Sequence, residues 1–179
     1  MNFTGMLKEG SLQDKVILIT GGGTGLGKSM GKYFMELGAN LIITSRKQDV
    51  LDETAKEFSD YSGEILPIAG DVRNAKEVKQ IIETSLDKFG KIDGLVNNAA
   101  GNFISPTERL STKAFDVIVD IVLKGTYNYS LILGKHWIEN KQPGVILNIV
   151  TTYAWTGSGF VAPSAAAKGG VLALTRSLA

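Results

Sequence analysis

The chain has 179 residues, 44% hydrophobic and 21% charged, which is typical of a soluble protein with one domain. Its net charge of +1 gives no reason to expect a nucleic-acid or membrane partner. The absence of cysteine and the single histidine exclude disulfides, thiolate catalysis and Cys-ligated or multi-histidine metal sites. The N-terminal residues show neither a secretory nor a transit pattern, so we expect a cytoplasmic protein without a metal.

Short apolar runs rich in β-branched residues alternate with longer helical patterns along the whole chain. The runs at 16–20, 41–45, 65–69, 94–98 and 145–150 predict strands buried on both faces of a parallel sheet. The segments 25–37, 49–58, 75–89 and 112–139 predict helices, with Asn74 and Ser111 as N-caps and Gly38 and Gly90 as terminators. This alternation predicts an α/β fold: a doubly wound, Rossmann-type parallel sheet in a single domain.

The last helical pattern, from about residue 165 to residue 179, keeps an apolar stripe up to the end of the chain. No strand follows it, so the run at 145–150 would leave an apolar strand at a sheet edge, which natural proteins avoid. A helix that simply ends the protein is one interpretation. The interpretation we favour is that residues 1–179 form a C-terminally incomplete domain that lacks its last strands.

A glycine-rich turn, "TGGGTGLG" at residues 20–27, directly follows the first predicted strand. Gly21 permits a sharp turn, Gly25 permits close approach of the backbone to a pyrophosphate, and Gly27 permits close packing of helix on sheet. The N-terminus of the following helix offers free N–H groups and a positive dipole end to phosphates. The turn therefore predicts a dinucleotide site.

The end of the second predicted strand indicates which dinucleotide is bound. A free ribose 2′-hydroxyl is usually recognised by an acidic residue at this place, but here the strand runs into Arg46 and Lys47. Two cations suit a 2′-phosphate, which Arg46 can bind with two hydrogen bonds. We therefore expect NADP(H).

These features, together with "NNAAG" at 97–101 and Lys168 in the last helix, resemble the short-chain dehydrogenase/reductase family. The resemblance covers the whole chain. It implies an adenine contact by Asp71 and a sheet-stabilising role for Asn98. The implied cofactor-binding positions are Gly21, Gly22, Gly23, Thr24, Gly25, Leu26, Gly27, Arg46, Asp71, Asn98 and Lys168.

The sequence departs from the catalytic pattern of that family. Members usually carry a tyrosine four residues before the lysine, a serine thirteen residues before that tyrosine, and an asparagine on the long helix. Ser164, Thr151 and Val122 occupy those three positions here. A serine hydroxyl is a poor replacement for a phenol acid, so ordinary carbonyl reduction is disfavoured.

Two loops instead resemble one subfamily, the flavin-free, NADPH-dependent 2,4-dienoyl-CoA reductases: "AAGNFISPTERLS" at 99–111 and "TTYAWTGSGFVAPSAAAK" at 151–168. The resemblance implies that Tyr153 and Asn102 donate hydrogen bonds to the thioester oxygen. Lys168 would hold the nicotinamide ribose, and Ser164 would be a polar contact near the nicotinamide. If the chain stays extended after the fifth strand, the two-residue period places Tyr153 on the same face as Thr151, toward the cofactor.

The same resemblance implies acyl-CoA contacts by Arg73, Phe103 and Ser111, and a homotetramer packed through the long and final helices. Trp155 stands where the subfamily usually has a polar residue, which could reshape the acyl pocket.

Three functions stay open at this point. The favoured one is reduction of 2,4-dienoyl-CoA in unsaturated fatty acid β-oxidation. Another short-chain reductase, acting on an enoyl thioester or a ketone through Tyr153, is the second. A catalytically silent NADPH-binding module is the third.

Overall fold

The computed structural model describes residues 7–179, which form one parallel sheet with helices on both faces. Its strands are β1 (Val16–Thr20), β2 (Asn40–Ser45), β3 (Ile65–Ala69), β4 (Gly94–Asn97) and β5 (Val145–Asn148). Its helices are α1 (Gly25–Glu36), α2 (Gln48–Glu57), α3 (Ala75–Phe89), α4 (Thr112–Val119), α5 (Gly125–Glu139), α6 (Tyr153–Thr156) and α7 (Ala162–Leu178). A 3₁₀ turn spans Thr107–Arg109, and a π-helical segment, Asp120–Lys124, joins α4 to α5.

The strand order is β3-β2-β1-β4-β5, and every pair is parallel. The chain starts in the centre with β1, moves outward through β2 and β3, and then crosses back to β4 on the other side of β1. This reversal opens a crevice at the carboxyl ends of β1 and β4, where doubly wound sheets bind ligands. The predicted fold class is confirmed, and every predicted strand is present with boundaries within two residues.

Alternating side chains of each strand build two cores, because successive residues of a strand point to opposite faces. Leu18 and Ile42 face α3 and α5, where Tyr129 is fully buried. Ile19 and Ile43 face the opposite core, which α1 and α2 cover. The predicted N-caps and terminators are confirmed: Asn74 and Ser111 accept backbone N–H bonds at the starts of α3 and α4, and Gly38 and Gly90 adopt positive φ at helix ends.

The segment Thr112–Glu139 is continuous helix and is long and apolar enough to cross a membrane by length and composition alone. In this fold one side of the segment packs on protein. Leu133 and Trp137 belong to the core beside the sheet, and the Trp137 indole donates a hydrogen bond to the Ile92 carbonyl oxygen at 2.7 Å. Val122 packs against Val171 of α7. The helix therefore places α7 next to the carboxyl end of β5.

The outermost strand, β5, differs from the prediction. We expected burial on both faces, but Val145 is 66% exposed and Leu147 also faces solvent. Within residues 7–179, β5 pairs with β4 alone, and a groove of about 590 Å³ between β5 and α1 runs over these side chains. The expectation was wrong because an apolar sequence shows only that a strand can be buried. Whether it is buried depends on the elements that pack on each face.

Candidate active site

The glycine-rich turn is fitted tightly between β1, β4 and α1. Gly21 adopts a φ of +68°, which glycine tolerates best. The Asn98 side-chain amide donates to the carbonyl oxygens of Thr20 and Gly21 at 3.0 and 3.3 Å. A Cβ at Gly27 would collide with the Gly21 carbonyl oxygen and lie 2.6 Å from Asn98 Nδ2. Only glycine at position 27 therefore allows α1 to start this close to the sheet.

The Thr20 hydroxyl joins the ends of β1 and β4. Its oxygen accepts the backbone N–H groups of Asn98 and Ala99 at 3.0 and 2.9 Å, and the side chain is buried. Thr20 was not among the residues predicted from the sequence to form the site. A threonine at the last position of an apolar strand was the available signal, since a buried hydroxyl needs a partner.

A cleft of about 240 Å³ opens above this turn. It is lined by Gly21, Thr24, Ser45, Arg46, Gly70, Asp71, Val72, Ala99, Ala100 and Ile121. Thr24 makes no side-chain cap bond, and the first turn of α1 contains no acidic residue, so its N–H groups stay available to an anion. Arg46 supplies a cation at the tip of β2. These residues fit a dinucleotide with phosphates at α1 and adenosine toward Arg46 and Asp71.

Asp71 is held by Arg73, two residues further along. The Arg73 Nε donates to both carboxylate oxygens at 2.9 Å, and a terminal guanidinium nitrogen donates at 2.5 Å. The hydrogen bonds from Arg73 are the largest influence on the carboxyl group and lower the pKa of Asp71. Arg73 is thus engaged with Asp71, which lines the cleft, and its predicted contact with acyl-CoA stays a prediction.

The segment after β5 turns into a helix instead of staying extended. Thr152 has helical dihedral angles, and the Ala154 N–H donates to the Thr151 carbonyl oxygen at 3.0 Å. Tyr153 therefore begins the one-turn helix α6, and the two-residue period that we expected to align it with Thr151 does not apply.

The helical turn directs Tyr153 toward α7. Its phenol oxygen lies 3.0 Å from the Ser164 hydroxyl oxygen. Ser164 is buried in the first turn of α7, four residues before Lys168. The phenol thus meets the residue that replaces the expected tyrosine, although the two positions are eleven residues apart.

Lys168 lies one turn further along α7 and is only 3% exposed. Its ammonium group donates a hydrogen bond to the Ile149 carbonyl oxygen. Burial disfavours the charged form and lowers the pKa of Lys168 to about 8. An ammonium group has three donors, so two remain for a ligand.

The Thr151 hydroxyl, close to Tyr153 in the chain, is buried and has no hydrogen-bond partner within residues 7–179. Buried hydroxyls without a partner are uncommon and costly. The sequence identified position 151 only as the position where the family usually has a serine. It could not show that the Thr151 hydroxyl lacks a hydrogen-bond partner.

The loop after β4 carries Asn102 and Phe103, both exposed. No hydrogen bond within the described residues engages the Asn102 side chain, so its predicted pairing with Tyr153 around a ligand stays a prediction. The loop is tied to the segment before α7, because the Ser105 N–H donates to the Phe160 carbonyl oxygen at 2.9 Å. Ser111 accepts the Ala114 N–H as the N-cap of α4, a structural use that sequence analysis also predicted.

Comparison with known proteins decides the family. A family model described as short chain dehydrogenase matches residues 15–179. The chain belongs to the short-chain dehydrogenase family. A crystal structure of a short chain dehydrogenase from Bacillus anthracis superposes on this chain with a TM-score of 0.91 and 46% sequence identity. The matched region comprises 94% of this chain and 70% of that protein.

Within the family, the chain is similar to 2,4-dienoyl-CoA reductases. A probable (2E)-enoyl-CoA-producing 2,4-dienoyl-CoA reductase of Bacillus subtilis is 44% identical over 94% of this chain and 66% of its own length. A peroxisomal, (3E)-enoyl-CoA-producing 2,4-dienoyl-CoA reductase of Rattus norvegicus is 41% identical over 94% of this chain and 58% of its own length. The chain thus spans about three fifths of the length of these relatives.

Proposed function

We propose that this protein reduces 2,4-dienoyl-CoA thioesters to enoyl-CoA with NADPH, a step in the β-oxidation of unsaturated fatty acids. One observation carries the proposal. The Tyr153 phenol, displaced in sequence from the usual position, approaches Ser164 one turn before the buried Lys168. The phenol therefore reaches Ser164, one helical turn before the lysine, and this serine stands at the position from which the family's tyrosine acts.

This arrangement suits conjugate reduction better than ketone reduction. When bound, NADPH supplies the hydride, which adds to a carbon of the diene remote from the carbonyl. Negative charge then collects on the thioester oxygen, and the protein must stabilise it with donors already in place. The last proton goes to carbon and can come from water, so no strong acid is needed at position 164.

Each residue has a defined role in this proposal. Tyr153 and Asn102 donate hydrogen bonds to the thioester oxygen. Ser164 orients the Tyr153 hydroxyl at 3.0 Å. Lys168, with two ammonium N–H groups beyond its bond to Ile149, holds the nicotinamide ribose. The similar proteins that are named 2,4-dienoyl-CoA reductases support the substrate class.

The choice of NADPH over NADH rests on the end of β2. Arg46 lines the cleft and is exposed toward it, and the strand ends in Ser45, Arg46 and Lys47 without an acid. Replacing Arg46 by Gln should weaken NADPH binding by about tenfold, the loss expected for one charge-assisted contact, and leave NADH binding unchanged. Equal losses for both cofactors would contradict this role.

The deciding experiment follows NADPH oxidation with a 2,4-dienoyl-CoA in one sample and a 3-ketoacyl-CoA in another, with NADPH binding titrated in parallel. We expect oxidation with the dienoyl substrate alone. Oxidation with the ketone would favour an ordinary carbonyl reductase. Binding of NADPH without oxidation in either sample would favour a cofactor-binding module.

We also propose assembly into a homotetramer through α4, α5 and α7. Phe115, Tyr127 and Leu131 are large apolar side chains exposed on the long helix, outside the site. Light scattering at micromolar concentration should give four times the chain mass, and a monomer would overturn the assembly. Cytoplasmic location, the absence of a metal, and the lack of the family's last strands stay predictions.

A further inference from the structure

Hydrogen-bonded polar side chains connect β4, β5 and α7. The Asn97 amide donates to the Asn148 side-chain oxygen at 2.8 Å, and the Asn148 amide donates to the Thr175 hydroxyl at 2.9 Å. The Thr175 hydroxyl in turn donates to the Val171 carbonyl oxygen at 2.8 Å. Asn97 also donates to the Ser130 hydroxyl of α5 at 3.1 Å. We call Asn97, Asn148 and Thr175 the polar bridge.

The polar bridge lowers the stability of the core that contains it. Asn97 is 3% exposed, and its side-chain oxygen has no hydrogen-bond partner within residues 7–179. An apolar side chain would avoid the penalty of burying that oxygen. Buried polar groups can instead select one arrangement of the elements they join, as a buried asparagine selects the register of a coiled coil. The bridge is suited to fixing how α7 lies on the sheet.

The packing of α7 on α4 and on the π-helical segment is apolar. Ala167 and Val171 belong to one cluster with Ile118 and Val122. Hydrophobic contact is non-directional, so it selects a position along the strand less sharply than a hydrogen bond does.

Two hydrogen bonds of α7 side chains reach β5 or the residue after it, among residues 7–179. One runs from the Lys168 ammonium to the Ile149 carbonyl oxygen, and the other joins Asn148 to Thr175. Lys168 and Thr175 are seven residues apart, so they lie on the same side of α7, roughly 10 Å apart along its axis. Only the Asn148–Thr175 bond leaves Lys168 free to bind a ligand.

We propose that Asn148 and Thr175 are positioning residues, which fix α7 along β5 and so hold the Lys168 ammonium where it reaches the nicotinamide ribose. This inference rests on the proposed function only for the role of Lys168 in cofactor binding. Neither Asn148 nor Thr175 lines the cleft above the glycine-rich turn, so both act through Lys168.

The test compares the dissociation constants of NADPH and of 2′,5′-ADP, which is the adenosine part of the cofactor. Thr175→Val removes the hydroxyl that accepts from Asn148 and keeps the branched shape. We expect NADPH to bind up to about tenfold more weakly, the loss expected when one charge-assisted hydrogen bond is misplaced. The affinity for 2′,5′-ADP should not change, because this ligand lacks the nicotinamide ribose. A general loss of structure would weaken both ligands.

Two further variants separate position from stability. Thr175→Ser keeps the hydroxyl and should restore NADPH affinity to within about twofold of the wild type. Ser85→Ala is the matched control, because its buried hydroxyl also donates to the carbonyl oxygen four residues earlier, that of Ile81 at 2.6 Å. Ser85 lies in α3, outside the polar bridge. Its replacement should lower the free energy of unfolding and leave both dissociation constants unchanged.

A double-mutant cycle assigns the effect to the shared hydrogen bond. Asn148→Ala should weaken NADPH binding at least as much as Thr175→Val, and the two together should weaken it no further than Asn148→Ala alone. Additive losses would show that the two residues act separately and would overturn the inference. Unchanged NADPH affinity in Thr175→Val, an equal loss for 2′,5′-ADP, or no recovery in Thr175→Ser would also overturn it.

These outcomes separate the inference from the proposed function. If Lys168→Met weakens NADPH binding and Thr175→Val does not, Lys168 keeps its proposed role and the polar bridge has no positioning role. If both weaken NADPH binding but neither the dienoyl nor the keto thioester is reduced, the polar bridge stands and the dienoyl reductase does not. Unchanged NADPH affinity in Lys168→Met would remove the role of Lys168 and the inference with it.

Discussion

The turn after β1 and the segment after β5 lie at the same end of the sheet, yet they differ in how far the protein satisfies its own polar groups. In the turn, the Thr20 hydroxyl accepts two backbone N–H bonds and the Asn98 amide donates two. In the segment, the Thr151 hydroxyl has no partner within the described residues and Lys168 is buried beside a single carbonyl oxygen.

This difference indicates how the two halves of the site are prepared for a ligand. The conformation of the turn is held by its own hydrogen bonds, so its backbone is already in place before a cofactor binds. In the segment, the Thr151 hydroxyl and two of the Lys168 ammonium N–H groups have no hydrogen-bond partner within the described residues, which lowers stability. A bound ligand can accept hydrogen bonds from them. Substitutions in the turn should therefore change stability and cofactor binding, whereas substitutions in the segment should change catalysis or even stabilise the protein.

The largest effect should come from Tyr153→Phe, which removes one oxyanion donor and keeps the ring. We expect kcat for dienoyl reduction to fall by about 100- to 1,000-fold, the usual cost of losing such a donor. NADPH affinity should change little, whereas the free energy of unfolding should fall by about 1 kcal/mol, because the buried Ser164 hydroxyl loses its hydrogen bond to the phenol. Steady-state kinetics, NADPH titration and thermal unfolding of the same preparation test this together.

Ser164→Ala is the matched control for that substitution. It keeps the Tyr153 hydroxyl and removes only the group that orients it, so the loss in kcat should be smaller, about tenfold. If Tyr153→Phe cost no more than Ser164→Ala, Tyr153 would not be the main donor.

Gly27→Ala should have the next largest effect, in the turn. A Cβ at position 27 meets the Gly21 carbonyl oxygen and Asn98 Nδ2, neither of which can move freely. We expect a loss of about 3 kcal/mol in the free energy of unfolding, at the upper end for overpacking, together with weaker NADPH binding. Urea denaturation measures it.

Gly134→Ala, in α5, is the control for an added methyl group. A Cβ there has no neighbour within 4 Å, and the helical backbone needs no positive φ. It should raise the free energy of unfolding by up to about 1 kcal/mol. Equal losses at both positions would show that the turn is not the tighter of the two.

The same contrast explains what could be predicted from the sequence. Strand positions and the glycine turn follow from local rules: β-branched runs, and a glycine where a strand must turn into a helix. The approach of Tyr153 to Ser164 depends instead on the path of residues 154–163, which have no helical or strand period and include Gly157 at positive φ. The position of β5 at the edge of the sheet followed from the missing later strand, but the exposure of Val145 and Leu147 on one face did not, because it depends on what covers that face.

Lys168→Met tests the cost of the buried ammonium. The pKa of Lys168 in the folded protein is about 8, below the usual value of 10.5, so the unfolded chain binds more protons between these values. Stability from this group therefore rises with pH through that window. We expect the free energy of unfolding of the wild type, relative to Lys168→Met, to increase by about 2 kcal/mol from pH 7 to pH 10. Urea denaturation without cofactor measures it, and a constant difference would mean that burial does not disfavour the charge.

The smallest effects should come from two Thr→Val substitutions, which we expect to change the free energy of unfolding in opposite directions. Thr20→Val removes a hydroxyl that accepts two backbone N–H bonds, which should cost about 1 to 2 kcal/mol in the free energy of unfolding. Thr151→Val removes a buried hydroxyl without a partner and keeps the side-chain shape, so it should stabilise the protein by about 1 kcal/mol, or about 2 to 4 °C in Tm. Thermal unfolding without cofactor compares the two. If Thr151→Val destabilised the protein as Thr20→Val does, the segment after β5 would satisfy its own polar groups as the turn does, and its donors would not be held ready for a ligand.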